Sequence, residues 1–291
     1  QLTGLLHAKI LRSAHAHARI KSIDTSSAEA YPGVTAIVTG KDMPVASLTA
    51  SDLGGDYQRV KLASENFLAG DKVLYKGHAI AAVAATSPHI AEEAVKLIRV
   101  EYEELPPVMN VKDAMKSDAP LLHDHLRTNS MGETADTPSN IASYLRFENG
   151  NVEQGFTQAD VVVEREFETA TIHQGYIEPH PATAFWNTDG QLNIWCSTQG
   201  SFVVRAVTAD ILRHPVSQIK VTPTEIGGGF GGKVGFYLEP VVALLSKKAR
   251  RPVKLVMTRT EVFEGSGPAP GTWMTVKIGA SKEGKITAAQ V

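Results

Sequence analysis

The chain has 291 residues, 43% hydrophobic and 21% charged, with a formal net charge of −2. It is long enough for two cores, and it has no basic excess to suggest nucleic acid or anionic lipid as a partner. Its one cysteine, Cys196, cannot build an internal disulfide, a four-cysteine zinc site or an iron–sulfur cluster. No apolar run of 18 residues and no charged-then-apolar leader is visible, so a membrane span is not expected; the single thiol makes a reducing compartment the simplest reading, and a cytoplasmic location is expected.

Residues 1–106 read as one α+β unit, with strands expected at 5–11, 35–39, 72–75 and 79–85. Ser26 to Glu29 has capping-box spacing, and a short helix there would end at Tyr31-Pro32-Gly33. Ser87-Pro88 offers an N-cap and a first-turn proline. The helix that follows would face inward through Ile90, Ala94, Leu97 and Ile98, with Glu92 and Lys96 paired outside. A strand at 100–104 stops at Pro106-Pro107. Residues 107–140 read as a loop-like linker.

From 141 the pattern changes, with strands expected at 160–169 and 192–197, the latter after the turn 187–190. A helix over 201–213 would bury Val203, Val207, Ile211 and Leu212 and end at His214-Pro215. A strand at 218–222 leads to a glycine-rich loop. Then come a helix with Pro240 in its first turn, a strand at 253–257, and a two-stranded ribbon of 273–280 and 286–291 around a turn. Such a ribbon is rarely stable alone, so the chain is expected to have been cut from a larger protein.

The loop Gly227-Gly228-Gly229-Phe230-Gly231-Gly232-Lys233 holds five glycines in six positions. Glycine tolerates positive φ and lets another group approach the backbone, so a ligand against the main chain is the functional reading; a packing corner is the bland one. Gly227-x4-Gly232-Lys233 nearly matches a phosphate loop, but Val234 stands where a magnesium-binding hydroxyl is needed. Gly227-x-Gly229-x-x-Gly232 matches a dinucleotide fingerprint, but residues 246–251 are basic where an acid is needed.

Three segments set this loop in context: 172–180 (IHQGYIEPH), 194–200 (IWCSTQG), and Glu225-Ile226 leading into the loop. With 11–20 (LRSAHAHARI) and 76–83 (KGHAIAAV), they resemble the molybdopterin-binding subunit of the xanthine oxidase family of molybdenum hydroxylases. The resemblance covers essentially the whole chain. It implies an α+β fold: an α/β hammerhead domain over 1–106, the linker 107–140, and an incomplete first molybdopterin-binding domain over 141–291.

The resemblance further implies an oxidoreductase that oxidises an aldehyde, aromatic heterocycle or CO-like substrate with water-derived oxygen. Its cofactor would be molybdopterin with molybdenum, in many members as the cytosine dinucleotide. Iron–sulfur and FAD-carrying partner subunits or domains, and the rest of the molybdopterin subunit, are the expected partners. The catalytic base is expected beyond Val291, so no catalytic residue falls in this chain, no residue ligates the metal directly, and the chain alone should be inactive. Cofactor contacts carry over to Gly228, Gly229, Phe230, Gly231 and Gln199, with Gln174 as a candidate if its loop shifts by two residues. Phe230 is expected by the substrate channel, a core plug being the alternative. Val234 stands where purine-specific relatives have glutamate, and so points away from a xanthine substrate.

His15, His17 and Arg19 would share a strand face by alternation and are read as packed, not metal-binding. Glu178 and His180 are expected to orient the loop rather than to act as acid or base. Two other readings stand beside the enzyme: an assembly module without cofactor, and a nucleotide-binding enzyme using Lys233.

Overall fold

The computed structural model describes residues 2–49, 51 and 57–291. The chain forms two compact units, residues 1–107 with 173–268 and residues 108–172 with 269–291.

The larger unit is built on a seven-stranded sheet. Its order is Ile219–Pro223, Leu192–Cys196, Pro181–Trp186, Val253–Val256, Leu6–Arg12, Ala79–Ala85 and Val34–Thr39. Four strands from 181–256 thus join three strands from the first 85 residues. The joint is the parallel pairing of Leu6 with Val253 and Ala8 with Leu255. Ala79–Ala85 is buried at every position because both sheet faces are covered. Ala82 and Ala84 belong to the main core, which includes Val241, Val242 and Leu245 of the helix Glu239–Ala249. Ala81 and Val83 face the opposite side and pack with Ala94, Val95 and Ile98 around the helix Pro88–Val95. A three-stranded sheet, Lys72–Val73, Ala18–Asp24 and Arg99–Glu104, completes this unit.

Several helix faces differ from expectation. Ser87 does cap, accepting from the Ile90 amide at 3.2 Å, but Leu97 is exposed, Ala91 and Val95 are buried, and Lys96 pairs with Glu93. The helix Ser201–Leu212 buries Val204, Thr208 and Ala209 with Ile211 and Leu212, leaving Val203 exposed. In the first short helix Thr25, not Ser26, is the cap, and its hydroxyl donates to Glu29. His15 lies before the strand Ala18–Asp24 and packs against Tyr102 with the rings tilted by 54°; His17 is buried, with Nδ1 2.8 Å from the Pro106 carbonyl.

The smaller unit holds two three-stranded sheets. Arg127–Ser130 lies between Glu133–Pro138 and Ser143–Tyr144, so strands occur where a loop was expected. Thr272–Ala280 lies between Val161–Thr169 and Ile286–Gln290, so the ribbon has a third strand. The helix Val152–Thr157 packs on this sheet at Gly155, where a β-carbon would stand 2.3 Å from the Thr287 carbonyl oxygen.

Candidate functional site

The glycine loop connects the edge strand Ile219–Pro223 to the buried helix Glu239–Ala249. Glu239, at the start of this helix, holds the two residues that lead into it. Its buried carboxylate accepts from the amides of Tyr237 and Leu238, both at 3.1 Å. Burial holds the Glu239 carboxyl above its usual range.

Two side chains from other segments fix the loop. The Gln199 Oε1 accepts from the amides of Gly231 at 3.2 Å and Lys233 at 3.1 Å. The Gln199 amide in turn donates to the Lys233 carbonyl at 2.9 Å. The Gln199 oxygen is therefore committed to the loop, and its NH2 end remains for a ligand. At the loop's start, Glu178 Oε2 accepts from the Gly227 amide at 2.7 Å. The same oxygen meets Ser197 Oγ at 2.8 Å and Lys233 Nζ at 2.5 Å. Burial raises the Glu178 carboxyl, but these donors outweigh it and hold the group below the usual carboxylate range. Glu178 thus orients the loop, as expected.

Lys233 is 0% exposed and points inward, over the Tyr176 ring. A phosphate-loop lysine must reach out to its ligand, so the nucleotide reading is corrected: this ammonium is already paired inside the protein. Phe230 is 76% exposed at φ 50°, so it is not a core plug.

The glycines divide by what a side chain would meet. A β-carbon on Gly227 would stand 2.7 Å from Glu178 Cβ, on Gly229 2.5 Å from Gln199 Oε1, and on Gly232 2.7 Å from Tyr176 Cε1. Those positions are packed from within. Gly231, at φ +90°, would meet nothing within 4 Å and opens outward. Among the described residues, the amides of Gly228, Gly229 and Phe230 donate to no partner, although Gly229 is buried. Buried amides without partners are rare in folded chains. The loop therefore offers backbone N–H dipoles that no group of the described residues uses.

Gln174 lies behind the loop, its Oε1 2.9 Å from where a Gly232 β-carbon would be. That oxygen is buried and accepts no hydrogen bond. Beneath the loop, Tyr176 is buried with its hydroxyl 2.5 Å from His180 Nε2 and 3.2 Å from Ser266 Oγ. His173 Nδ1 accepts from the Gly175 amide, so in the neutral ring Nε2 carries the proton and donates to Ser266 Oγ at 2.9 Å. Burial, with Lys233 nearby, lowers His180 to about 4. His180 is thus a neutral packing and hydrogen-bonding group at neutral pH.

The sequence reading missed Ser197, Tyr176, Ser266 and Arg259 in this assembly. Arg259 donates to the carbonyls of Tyr176 and Ile177 across more than 80 residues. Only the strand pairing brings these segments together, and no local spacing announces it.

Comparisons with known proteins show the family. Residues 134–291 match the family model of the molybdopterin cofactor-binding domain, and residues 1–106 that of the a/b hammerhead domain of aldehyde oxidase and xanthine dehydrogenase. The chain is 33% identical over 287 residues to the nicotinate dehydrogenase large molybdopterin subunit of Eubacterium barkeri, covering 99% of this chain and 62% of that protein. It is 36% identical over 294 residues to the carbon monoxide dehydrogenase large chain of Afipia carboxidovorans, covering 99% and 35%. Among solved structures it resembles the reconstituted CO dehydrogenase from Oligotropha carboxidovorans, with TM-score 0.79 and 32% identity, covering 98% of this chain and 35% of that one. Quinoline 2-oxidoreductase from Pseudomonas putida 86 gives TM-score 0.76 and 31% identity over the same shares. The chain thus spans less than two thirds of the length of these relatives. With both family models matched in order, the chain belongs to the molybdopterin-binding subunits of the xanthine oxidase family, a family of molybdenum-dependent oxidoreductases.

Proposed function

We propose that this chain supplies one wall of a molybdopterin site in a molybdenum hydroxylase, and that the glycine loop is that wall. The observation that carries the reading is the loop's unused donors: the amides of Gly228, Gly229 and Phe230, which have no partner among the described residues, beside an unobstructed Gly231. These groups fit a cofactor rich in oxygen and sulfur acceptors. The Gln199 NH2 adds a donor, whereas the Gln174 Oε1 lies buried behind Gly232. When bound, the cofactor supplies the redox chemistry that exchanges hydrogen for water-derived oxygen on the substrate carbon. This chain binds and orients it through main-chain dipoles that need no reorganisation. Phe230 stands out from the loop and offers an aromatic edge to a substrate.

The division into a hammerhead domain over 1–106, a linker over 107–140 and a cofactor domain over 141–291 belongs to the same reading. So do the cytosine dinucleotide form, the iron–sulfur and FAD partners, and a cytoplasmic site. Val234 favours an aldehyde, a non-purine heterocycle or a CO-like molecule; the relatives themselves are named for both kinds, nicotinate and carbon monoxide as well as xanthine and hypoxanthine. Metal analysis and pterin fluorescence on the full-length protein test the proposal. It expects about one molybdenum and one pterin per chain. A protein with neither is an assembly module instead.

A further inference from the structure

We infer that Glu178 and Lys233 form a positioning pair, in which one carboxylate oxygen holds the cofactor loop closed by gripping both of its ends. The inference rests on the reading of the loop as the molybdopterin wall, and it assigns the pair no contact with the cofactor itself.

The geometry is a closed ring. Glu178 Oε2 takes the amide of Gly227, the first loop residue, at 2.7 Å, and the ammonium of Lys233, the last, at 2.5 Å. Ser197 Oγ bridges them, donating to Glu178 at 2.8 Å and accepting from Lys233 at 3.1 Å. A side chain from another segment thus closes the arc from residue 227 to 233, and the Gln199 oxygen fixes its second half.

The choice of residues is informative. A buried ammonium is costly unless paired, and a surface loop could be tied down by neutral hydrogen bonds at lower cost. Here the lysine is 0% exposed while the glutamate side chain stays 29% exposed, so the carboxylate sits at the rim and the cation inside. The arc between them has unpartnered amides at Gly228, Gly229 and Phe230 and positive φ at Gly228, Phe230 and Gly231. Among the described residues, the backbone bond within the arc is the Gly232 amide to the Gly229 carbonyl at 2.7 Å, and just beyond it Val234 donates to the Gly231 carbonyl at 3.3 Å. The pair is therefore the fixed frame in which the free amides are held. The same frame explains why Gly227 must lack a side chain: its β-carbon would displace the Glu178 stem.

The test uses the full-length protein in four forms: wild type, Glu178→Gln, Lys233→Met and Ser197→Ala. Hydrogen exchange is measured at the amides of Gly227, Gly231 and Lys233, with molybdenum and pterin content and thermal midpoint recorded alongside. Glu178→Gln and Lys233→Met are each expected to speed exchange at these amides at least tenfold and to lower cofactor content at least fivefold. Leu192→Ala, a core change remote from the loop, serves as the stability control. It is expected to lower the midpoint with loop exchange and cofactor content unchanged. Ser197→Ala removes only the bridging hydroxyl and carries the test if the charge variants do not fold, with loop exchange at least threefold faster. Loop exchange at the wild-type rate in the folded variants overturns the pair. A wild-type protein without molybdenum or pterin overturns the functional reading instead, and loop exchange still decides the pair.

Discussion

Gln199 and Gly229 show how closely single residues are matched around the loop. Gly229 lacks a side chain because the Gln199 oxygen occupies that space, and Gln199 uses the same oxygen to hold Gly231 and Lys233. Gly229→Ala and Gln199→Ala should therefore give one phenotype, a loosened loop with at least fivefold less bound molybdenum. Full cofactor content in either variant would separate the two residues. His180 makes a different prediction. Its folded pKa of about 4 lies below the ordinary value of 6.5, so the unfolded chain binds a proton that the folded chain refuses. Stability should be fully present above about pH 6.5 and fall as pH drops toward 4. Thermal midpoints across that window check this, and His180→Gln should flatten the slope. The Gln199–Gly229 relation is long-range and was invisible in the sequence; of the two groups expected to orient the loop, Glu178 bonds to it, while His180 bonds to Tyr176 instead.

Among the elements, strands were more legible than helix faces. Ala79–Ala85 announces itself as an unbroken apolar run, and both of its faces are indeed covered. The helix Ser201–Leu212 was placed but turned to the wrong side. It is apolar nearly all round, so periodicity did not tell Val203 from Val204. Strands at Arg127–Ser130 and Glu133–Pro138 were missed because they are polar and largely exposed, with no alternation to read. The helix Glu239–Ala249 carries the end of the glycine loop and packs against the central sheet. Leu245→Ala there, at a fully buried position, should cost about 2–5 kcal/mol in chemical denaturation. A loss below about 1 kcal/mol would mean the helix is not anchored as described.

For the whole molecule, the motifs gave the family, while the sheet had to be seen. The seven-stranded order places Leu6–Arg12 beside Val253–Val256, nearly 250 residues away, and no spacing rule predicts such a pairing. The neighbouring pairings of Pro181–Trp186 with Leu192–Cys196, and of Leu192–Cys196 with Ile219–Pro223, draw the segments 172–180, 194–200 and 227–233 into one site, which is why the motifs are separate in sequence yet act on one loop. Cys196 lies in this core, next to the buried Glu239, and burial pushes its thiol well above the ordinary range. It should resist alkylation in the native protein and react only on unfolding; fast native labelling would contradict the packing. The central claim is that the open face of the glycine loop holds molybdopterin. Gly231 and Gly284 are matched for testing it, since both have positive φ and open space where a β-carbon would go, while Gly284 lies in the turn after residue 280. The deciding measurement is the molybdenum and pterin content of full-length Gly231→Val beside full-length Gly284→Val. The account predicts an empty Gly231→Val protein and a loaded Gly284→Val protein. Equal loading of the two would contradict it.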